Sequence, residues 1–364
     1  MTQRAYNFTP GPSMLPLPVL RRIQEEWLDY NGMGASVIEI SHLIPEFKAL
    51  LFETEDLLRE LLEVPANYKI AFIHGGGQMQ FALVPLNLIA LKPARKALYV
   101  ETGLFATRAI AEGGKHATVE VIASSQDTNF DRIPAIDPAA LDPAASYLHI
   151  TTNNTVVGTQ WRDFPQTGGL PLVGDLTSEL LSRPIDVSRF GLLYAGAQKN
   201  LGVSGIAVIV VREDLLSHGS PMLPKMLNYT QLVRDRSLSN TVNTFAIYVA
   251  NLMLKWVKAS GGVRAMEANN QEKARLLYEL LGRHEGFYHL HAQPGHRSAM
   301  NVTFRLNTPE LEAAFIAEAR AEGLYALKGH HEFGGIRASI YNAMPLEGVR
   351  ALIDFSETFV RRHG

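Results

Sequence analysis

Apolar positions along this chain follow two rhythms in turn. Near the start, "PLPVLRRIQEEWLDYNG" places Leu20, Ile23 and Trp27 at helical intervals, with Pro16 and Pro18 before them and an Asn-Gly pair after. The spacing predicts a helix that turns those three residues toward a core. In "IPEFKALLFETEDLLRELLEVP" the stripe is broader, because Phe47, Leu50, Leu51, Leu57, Leu58, Leu61 and Leu62 all fall on one face. A second core-facing helix is expected there.

From about residue 69 the helical period gives way to short apolar runs: "KIAFI", "KALYV", "ATVEVIA", "YLHIT", "LPLVGD", "LLYAGA" and "GIAVIVV". Runs of this length, separated by loop or helical segments, predict buried strands of a mainly parallel sheet flanked by helices. The texture shifts again after about residue 245. There "FAIYVANLMLKWVKASGG" and an amphipathic stretch through Leu281 predict helices, and "FYHLH" and "NVTFRL" predict strands. Another helix is expected from about Pro309, and a last one over "LEGVRALIDFSETFVRRHG" after "ASIY". The pattern is that of a large α/β domain with a smaller α+β domain. Residues 16–255 are assigned to the first, and residues 1–15 with 256–364 to the second.

Length agrees with this division, since 364 residues exceed what one hydrophobic core usually organises. A net charge of -2 leaves no electrostatic footprint for nucleic acid or an anionic membrane surface. The sequence contains no cysteine, which removes disulfides, thiolate nucleophiles and cysteine metal sites together. No signal-peptide pattern or 18-residue apolar span is visible, so a soluble cytoplasmic protein is expected.

Parallel sheets collect ligands at the carboxyl ends of their strands. That rule singles out "HGGGQ" after "KIAFI", "TTNNT" after "YLHI", Asp175 after "LPLVG" and Lys199 after "LLYAGAQ". The glycines of "HGGGQMQ" precede a helix, where free backbone N–H groups suit a phosphate. A tight turn made for packing reads equally well there, and the nucleotide and dinucleotide fingerprints are both missing. Asp175 is either a helix cap or a carboxylate reserved for a cation. Lys199 is either a lysine that escapes to solvent or an amine held for Schiff-base chemistry. Taken together, an anion pocket, an acid and an amine at three strand ends suit pyridoxal 5'-phosphate.

The chain also resembles the phosphoserine aminotransferase family, class V enzymes of the fold-type I pyridoxal-phosphate group. The resemblance is carried by "FTPGPSMLP", "SVIEISH", "HGGGQMQFALVPLNL", "LSRPIDVSRFGLLYAGAQKN", "VIVVREDLL" and "LKGHHEFGGIRASIYNAMPLEGV", and it spans essentially the whole chain. It implies a mainly parallel seven-stranded sheet and a homodimer with shared active sites. Lys199 would carry the covalent link to the cofactor. Gly77, Gln78 and Gln198 would lie at the cofactor phosphate, with Asn240 and Thr241 reaching it from the second subunit. Thr155 would contact the phenolic oxygen, Asp175 the ring nitrogen, and Phe105 the ring face, where the family commonly has tryptophan. Arg337 would receive the substrate α-carboxylate, for which a guanidinium fork is well shaped.

Departures from the family pattern gather at the substrate's far end. His42 is followed by Leu43 and His330 by His331 where the family has His-Arg, and Gln78 stands where it has arginine. His42, His330 and His331 remain candidate substrate contacts, and Arg234 and Arg236 are candidate replacements for the lost charge. The resulting expectation is an aminotransferase whose amino acid is unphosphorylated or carries a smaller anion. The alternatives are the conventional L-phosphoserine:2-oxoglutarate reaction and a non-catalytic protein that keeps the fold. Other class V chemistry fits less well, because a desulfurase needs a cysteine. "GVSGI" lacks the hydrolase spacing and "HHEF" lacks the second histidine of a zinc motif, so no metal is expected.

Overall fold

A computed structural model describes residues 4–364. All seven apolar runs become strands of one sheet: β1 (Tyr68–His74), β2 (Lys96–Glu101), β3 (Thr118–Ser124), β4 (Leu148–Thr151), β5 (Leu172–Asp175), β6 (Leu192–Gly196) and β7 (Ile206–Arg212). Their spatial order is β1-β7-β6-β5-β4-β2-β3. Neighbours pair in parallel except β7, which runs antiparallel to both β6 and β1. Strands β4, β5 and β6 are buried at every residue, which is why they read as unbroken apolar runs rather than alternating ones.

Helices cover both faces of this sheet. Helix α1 (Leu17–Glu25) and α2 (Pro45–Leu61) each begin with a proline in the first turn, where the missing N–H costs nothing. Helix α2 buries Phe47, Leu50, Leu51, Leu57 and Leu58, the stripe expected of it. Trp27 departs from expectation. Helix α1 ends at Glu25 with Glu26 as its C-cap, whose carboxylate accepts from Tyr248 at 2.6 Å and from Arg22 at 2.5 Å. Trp27 is left 43% exposed, edge-on to Phe245 at 5.7 Å. Helices α3 (Gly77–Leu88), α4 (Leu104–Gly113) and α5 (Thr244–Ala259) complete the layer.

A second apolar core forms around an antiparallel sheet of β8 (Tyr288–Leu290), β9 (Asn301–Leu306) and β10 (Ile336–Ser339). The long helix α6 (Gly262–Arg283) joins the two cores: Val263 and Met266 belong to the first, Leu277, Leu280 and Leu281 to the second. Helices α7 (Pro309–Ala321) and α8 (Leu346–His363) close the second core around Phe315, Phe355 and Phe359, whose rings meet edge to face or tilted. Phe8 and Met14 also belong to this core, and Tyr6–Asn7 pairs in parallel with Leu324–Tyr325. No helix among the described residues is long and apolar enough to cross a membrane.

Within the large sheet, His149 of β4 is 1% exposed, stacked on Tyr99 at 4.9 Å and hydrogen-bonded to the Tyr194 hydroxyl at 3.0 Å. Burial pushes its pKa from an ordinary 6.5 down to about 3, so the ring stays neutral in the folded protein. Below pH 6.5 the unfolded chain takes up a proton that the folded one refuses. Stability contributed by neutral His149 is therefore full above pH 6.5 and is lost as pH falls toward 3. Urea unfolding between pH 6 and 4 should show a slope from this group approaching about 1.4 kcal/mol per pH unit, absent in His149→Gln. Equal slopes in the two proteins would refute the assignment.

Candidate active site

The ends of five strands converge on one cavity of about 220 Å³. After β1, Gly75 adopts φ 92, a left-handed turn that side chains avoid, and its N–H donates to the Gly205 carbonyl at 3.0 Å. Helix α3 then starts at Gly77 with no side-chain cap, because its N-cap residue is Gly76. The uncapped N–H groups of its first turn are left to an anion. A β-carbon on Gly77 would stand 2.4 Å from the Thr177 hydroxyl oxygen, so this close approach tolerates no side chain.

Strand β5 ends at Asp175, 6% exposed, whose Oδ1 accepts from the Thr177 N–H at 2.9 Å. Burial raises its pKa, and the Thr177 hydrogen bonds and the nearby Lys199 charge act in the opposite direction. Next along the sheet, β6 runs into the turn that carries Gln198 and Lys199. Lys199 is 7% exposed, with its Nζ 5.8 Å from the centre of the Phe105 ring at the start of α4. Burial pushes its pKa down to about 8; Asp175 opposes the shift and Arg337 adds to it. The solvent-escape reading of Lys199 does not describe this side chain.

Arg337 enters from β10 of the smaller sheet. It is 7% exposed, its Nη1 donates to the Thr155 carbonyl at 3.4 Å, and its Nε is buried without a partner. A buried guanidinium with donors to spare is prepared for an anion. Gly77, Gln78, Phe105, Thr155, Asp175, Gln198, Lys199, His330 and Arg337 all line the cavity. His42, Asn240 and Thr241 do not, and the last two are exposed on this chain. His331 stacks on His330 at 4.2 Å, but its side chain is 77% exposed. Burial and then His331 push the His330 pKa down; Glu332 opposes the shift, and Arg337 and Arg108 add to it.

Several lining groups escaped sequence reasoning. Asn153 follows β4 and donates to Ser178 and Asn301, both at 2.8 Å; the signal was present in "TTNNT" but only Thr155 was drawn from it. Pro10 and Gly11 line the cavity, and Ser13 donates to the Lys199 carbonyl at 2.7 Å, which gives "FTPGPS" its structural purpose. Arg108 stands over the Phe105 ring at 5.5 Å. Arg234 and Arg236 are elsewhere: the first is 75% exposed, and the second pairs with Glu55 at 2.9 Å and lies 3.6 Å over Phe52.

Uncapped helix donors, a buried carboxylate, a buried lysine and an aromatic face in one cavity fit pyridoxal 5'-phosphate group by group. Fold and site together define a fold-type I pyridoxal-phosphate enzyme. The chain belongs to the aminotransferase class-V family, which it matches over residues 5–352. It is 49% identical to a phosphoserine aminotransferase of Geobacillus kaustophilus, with 99% of each chain covered. A solved phosphoserine aminotransferase from Bacillus circulans subsp. alkalophilus is 45% identical, covers 99% of both chains and superposes with a TM-score of 0.96. Another, described with its Schiff base, is 41% identical over 99% of this chain and 100% of that one, with a TM-score of 0.95. This is therefore a pyridoxal-phosphate-dependent transaminase of the phosphoserine aminotransferase type.

The lysine's electrostatics make a direct prediction for the cofactor-free protein. Reductive alkylation of Lys199, followed by mass spectrometry of its peptide, should accelerate with pH up to about 8 and then level off. Arg337→Gln should move the plateau to higher pH, and Asp175→Asn to lower pH. A plateau near the ordinary lysine value of 10.5 would contradict the burial argument.

Proposed function

We propose that Lys199 is the proton carrier of the transamination and that Arg337 holds the α-carboxylate of both the amino acid and the 2-oxo acid. Pyridoxal 5'-phosphate, when bound, supplies an aldehyde for the substrate amine and an electron-withdrawing ring. The chain supplies the rest. Gly77, Gln78 and Gln198 hold the phosphate, Asp175 keeps the ring nitrogen protonated, Thr155 meets the phenolic oxygen, and Phe105 covers the ring face. Released Lys199 Nζ, neutral in an appreciable fraction at physiological pH, takes the proton from the substrate Cα. The observation that carries this assignment is the burial of Lys199 in one cavity together with Asp175 and Arg337.

The same reading includes a homodimer with shared sites. It is supported by Leu17, Trp27, Leu28, Met33, Ile38 and Leu43, which are exposed within one stretch of sequence, and by the exposure of Asn240 and Thr241. His42 belongs to that reading as well. Two domains, 16–255 and 1–15 with 256–364, are supported by an apolar core around the smaller sheet that is separate from those on the large sheet.

For the substrate, we favour an amino acid whose side chain is unphosphorylated or bears a smaller anion. Among the described residues Arg337 is the only arginine lining the cavity, and it is committed to the α-carboxylate. Burial disfavours a charged His330, and the His331 side chain is 77% exposed. Charge-assisted hydrogen bonds contribute about 1.5 to 3 kcal/mol each. Two missing arginines correspond to roughly a hundredfold to ten-thousandfold weaker binding of a phosphorylated side chain. The conventional phosphoserine reaction is the second reading, favoured by full-length relatives of that name and by Arg108 as a cation beside Phe105.

A half-reaction separates them. The cofactor-loaded protein is mixed with L-glutamate, L-aspartate, L-alanine, L-serine or L-phosphoserine, and bleaching of its visible absorbance is followed. We expect saturable bleaching by an unphosphorylated amino acid and sluggish bleaching by phosphoserine even at millimolar concentration. Rapid saturation by micromolar phosphoserine, abolished in Arg108→Ala, would establish the second reading instead. Lys199→Ala should bleach with none of them.

A further inference from the structure

Asp175, Lys199 and Arg337 lie on three chain segments, and each segment continues into the same buried polar seam. Asn200, directly after Lys199, donates to the Leu180 carbonyl at 3.0 Å and accepts from the Asn342 N–H at 3.1 Å. Asn342, five residues past Arg337, donates to the Leu181 carbonyl at 2.8 Å. Asn270 of helix α6 donates to Asn342 Oδ1 at 2.8 Å and to the Ser182 carbonyl at 3.0 Å. One helical turn on, Lys273 gives its ammonium to three carbonyls of the loop after β10: Ile340 at 2.9 Å, Tyr341 at 2.7 Å and Met344 at 3.1 Å. The three asparagines are 2–3% exposed and Lys273 is fully buried.

These bonds do more than satisfy one another. Leu181, in the turn that follows Asp175, holds φ 65, a left-handed conformation foreign to a branched side chain. Strained backbone persists only where its surroundings over-determine it, and the carbonyl that accepts from Asn342 belongs to this residue. The seam therefore fastens the segments of Asp175 and Lys199, built on the large sheet, to the segment of Arg337, built on the small one.

We infer that Asn270, Asn342 and Lys273 are positioning residues that set the placement of the Arg337 guanidinium relative to the Lys199 amine, across the junction of the two cores. None of the three lines the cavity. The inference rests on Arg337 as the carboxylate anchor.

The test compares Asn270→Ala, Lys273→Met and Lys273→Arg in the cofactor-loaded enzyme with Arg337→Gln as reference. Displacement of the anchor by a fraction of an ångström should raise KM for amino acid and 2-oxo acid alike by about tenfold. Calorimetric affinity for an unreactive carboxylic acid should fall by the same factor. Affinity of the cofactor-free protein for pyridoxal 5'-phosphate should stay unchanged, because its ligands lie on the large sheet. Lys273→Arg, which keeps the donors, should recover most of the loss. If the folded variants melt at lower temperature but bind the carboxylic acid like the unaltered enzyme, the seam is only structural and the inference fails. If Arg337→Gln itself leaves carboxylic acid binding unchanged, the anchor assignment fails instead.

Discussion

Everything at this site follows from placing an amine where it is largely withdrawn from solvent. Taking the Lys199 ammonium out of solvent is costly, and the protein meets that cost only in part: Asp175 attracts the charge while Arg337 repels it. Asp175 alone would hold the amine charged, and burial alone would favour its neutral form. The balance between a carboxylate on one side and a guanidinium on the other leaves an amine able to gain and lose a proton near neutrality.

Sheet topology makes that balance possible. Parallel strands β4, β5 and β6 end side by side, so residues far apart in sequence arrive at one edge with their side chains already aligned. Antiparallel β7 lies between β6 and β1, and it brings the glycine turn after β1 to the same edge as the lysine turn. The close approach there is visible at Gly196, where a β-carbon would lie 2.8 Å from the Gly77 nitrogen. Only glycines allow the helix donors of α3 to come this near.

The large sheet was legible in the sequence because its central strands are buried on both faces and their composition is nearly pure. Asp175 and Lys199 were legible because a charged residue at the end of such a run is conspicuous. What stayed hidden were contacts made by polar residues common in any loop: Asn153, Ser13 and the asparagine seam carry no periodicity and no motif. Arg108 was hidden for another reason, since it falls on an ordinary helix and only the stacking on Phe105 sets it apart. Trp27 misled because helical spacing does not reveal that the helix stops at Glu25, before it.

The segment Tyr6–Ser13 ties the order of synthesis to the completion of the pocket. It pairs with Leu324–Tyr325, contributes Phe8 to the second core and fastens the backbone of Lys199 through Ser13. Residues that leave the ribosome early therefore wait for partners made some three hundred positions later, contacts of the longest sequence separation in the molecule. The strands of the large sheet all end by Arg212, so the His330 and Arg337 side of the cavity is the last to be supplied to Lys199. An amine able to react with stray aldehydes is thus enclosed only in the finished protein.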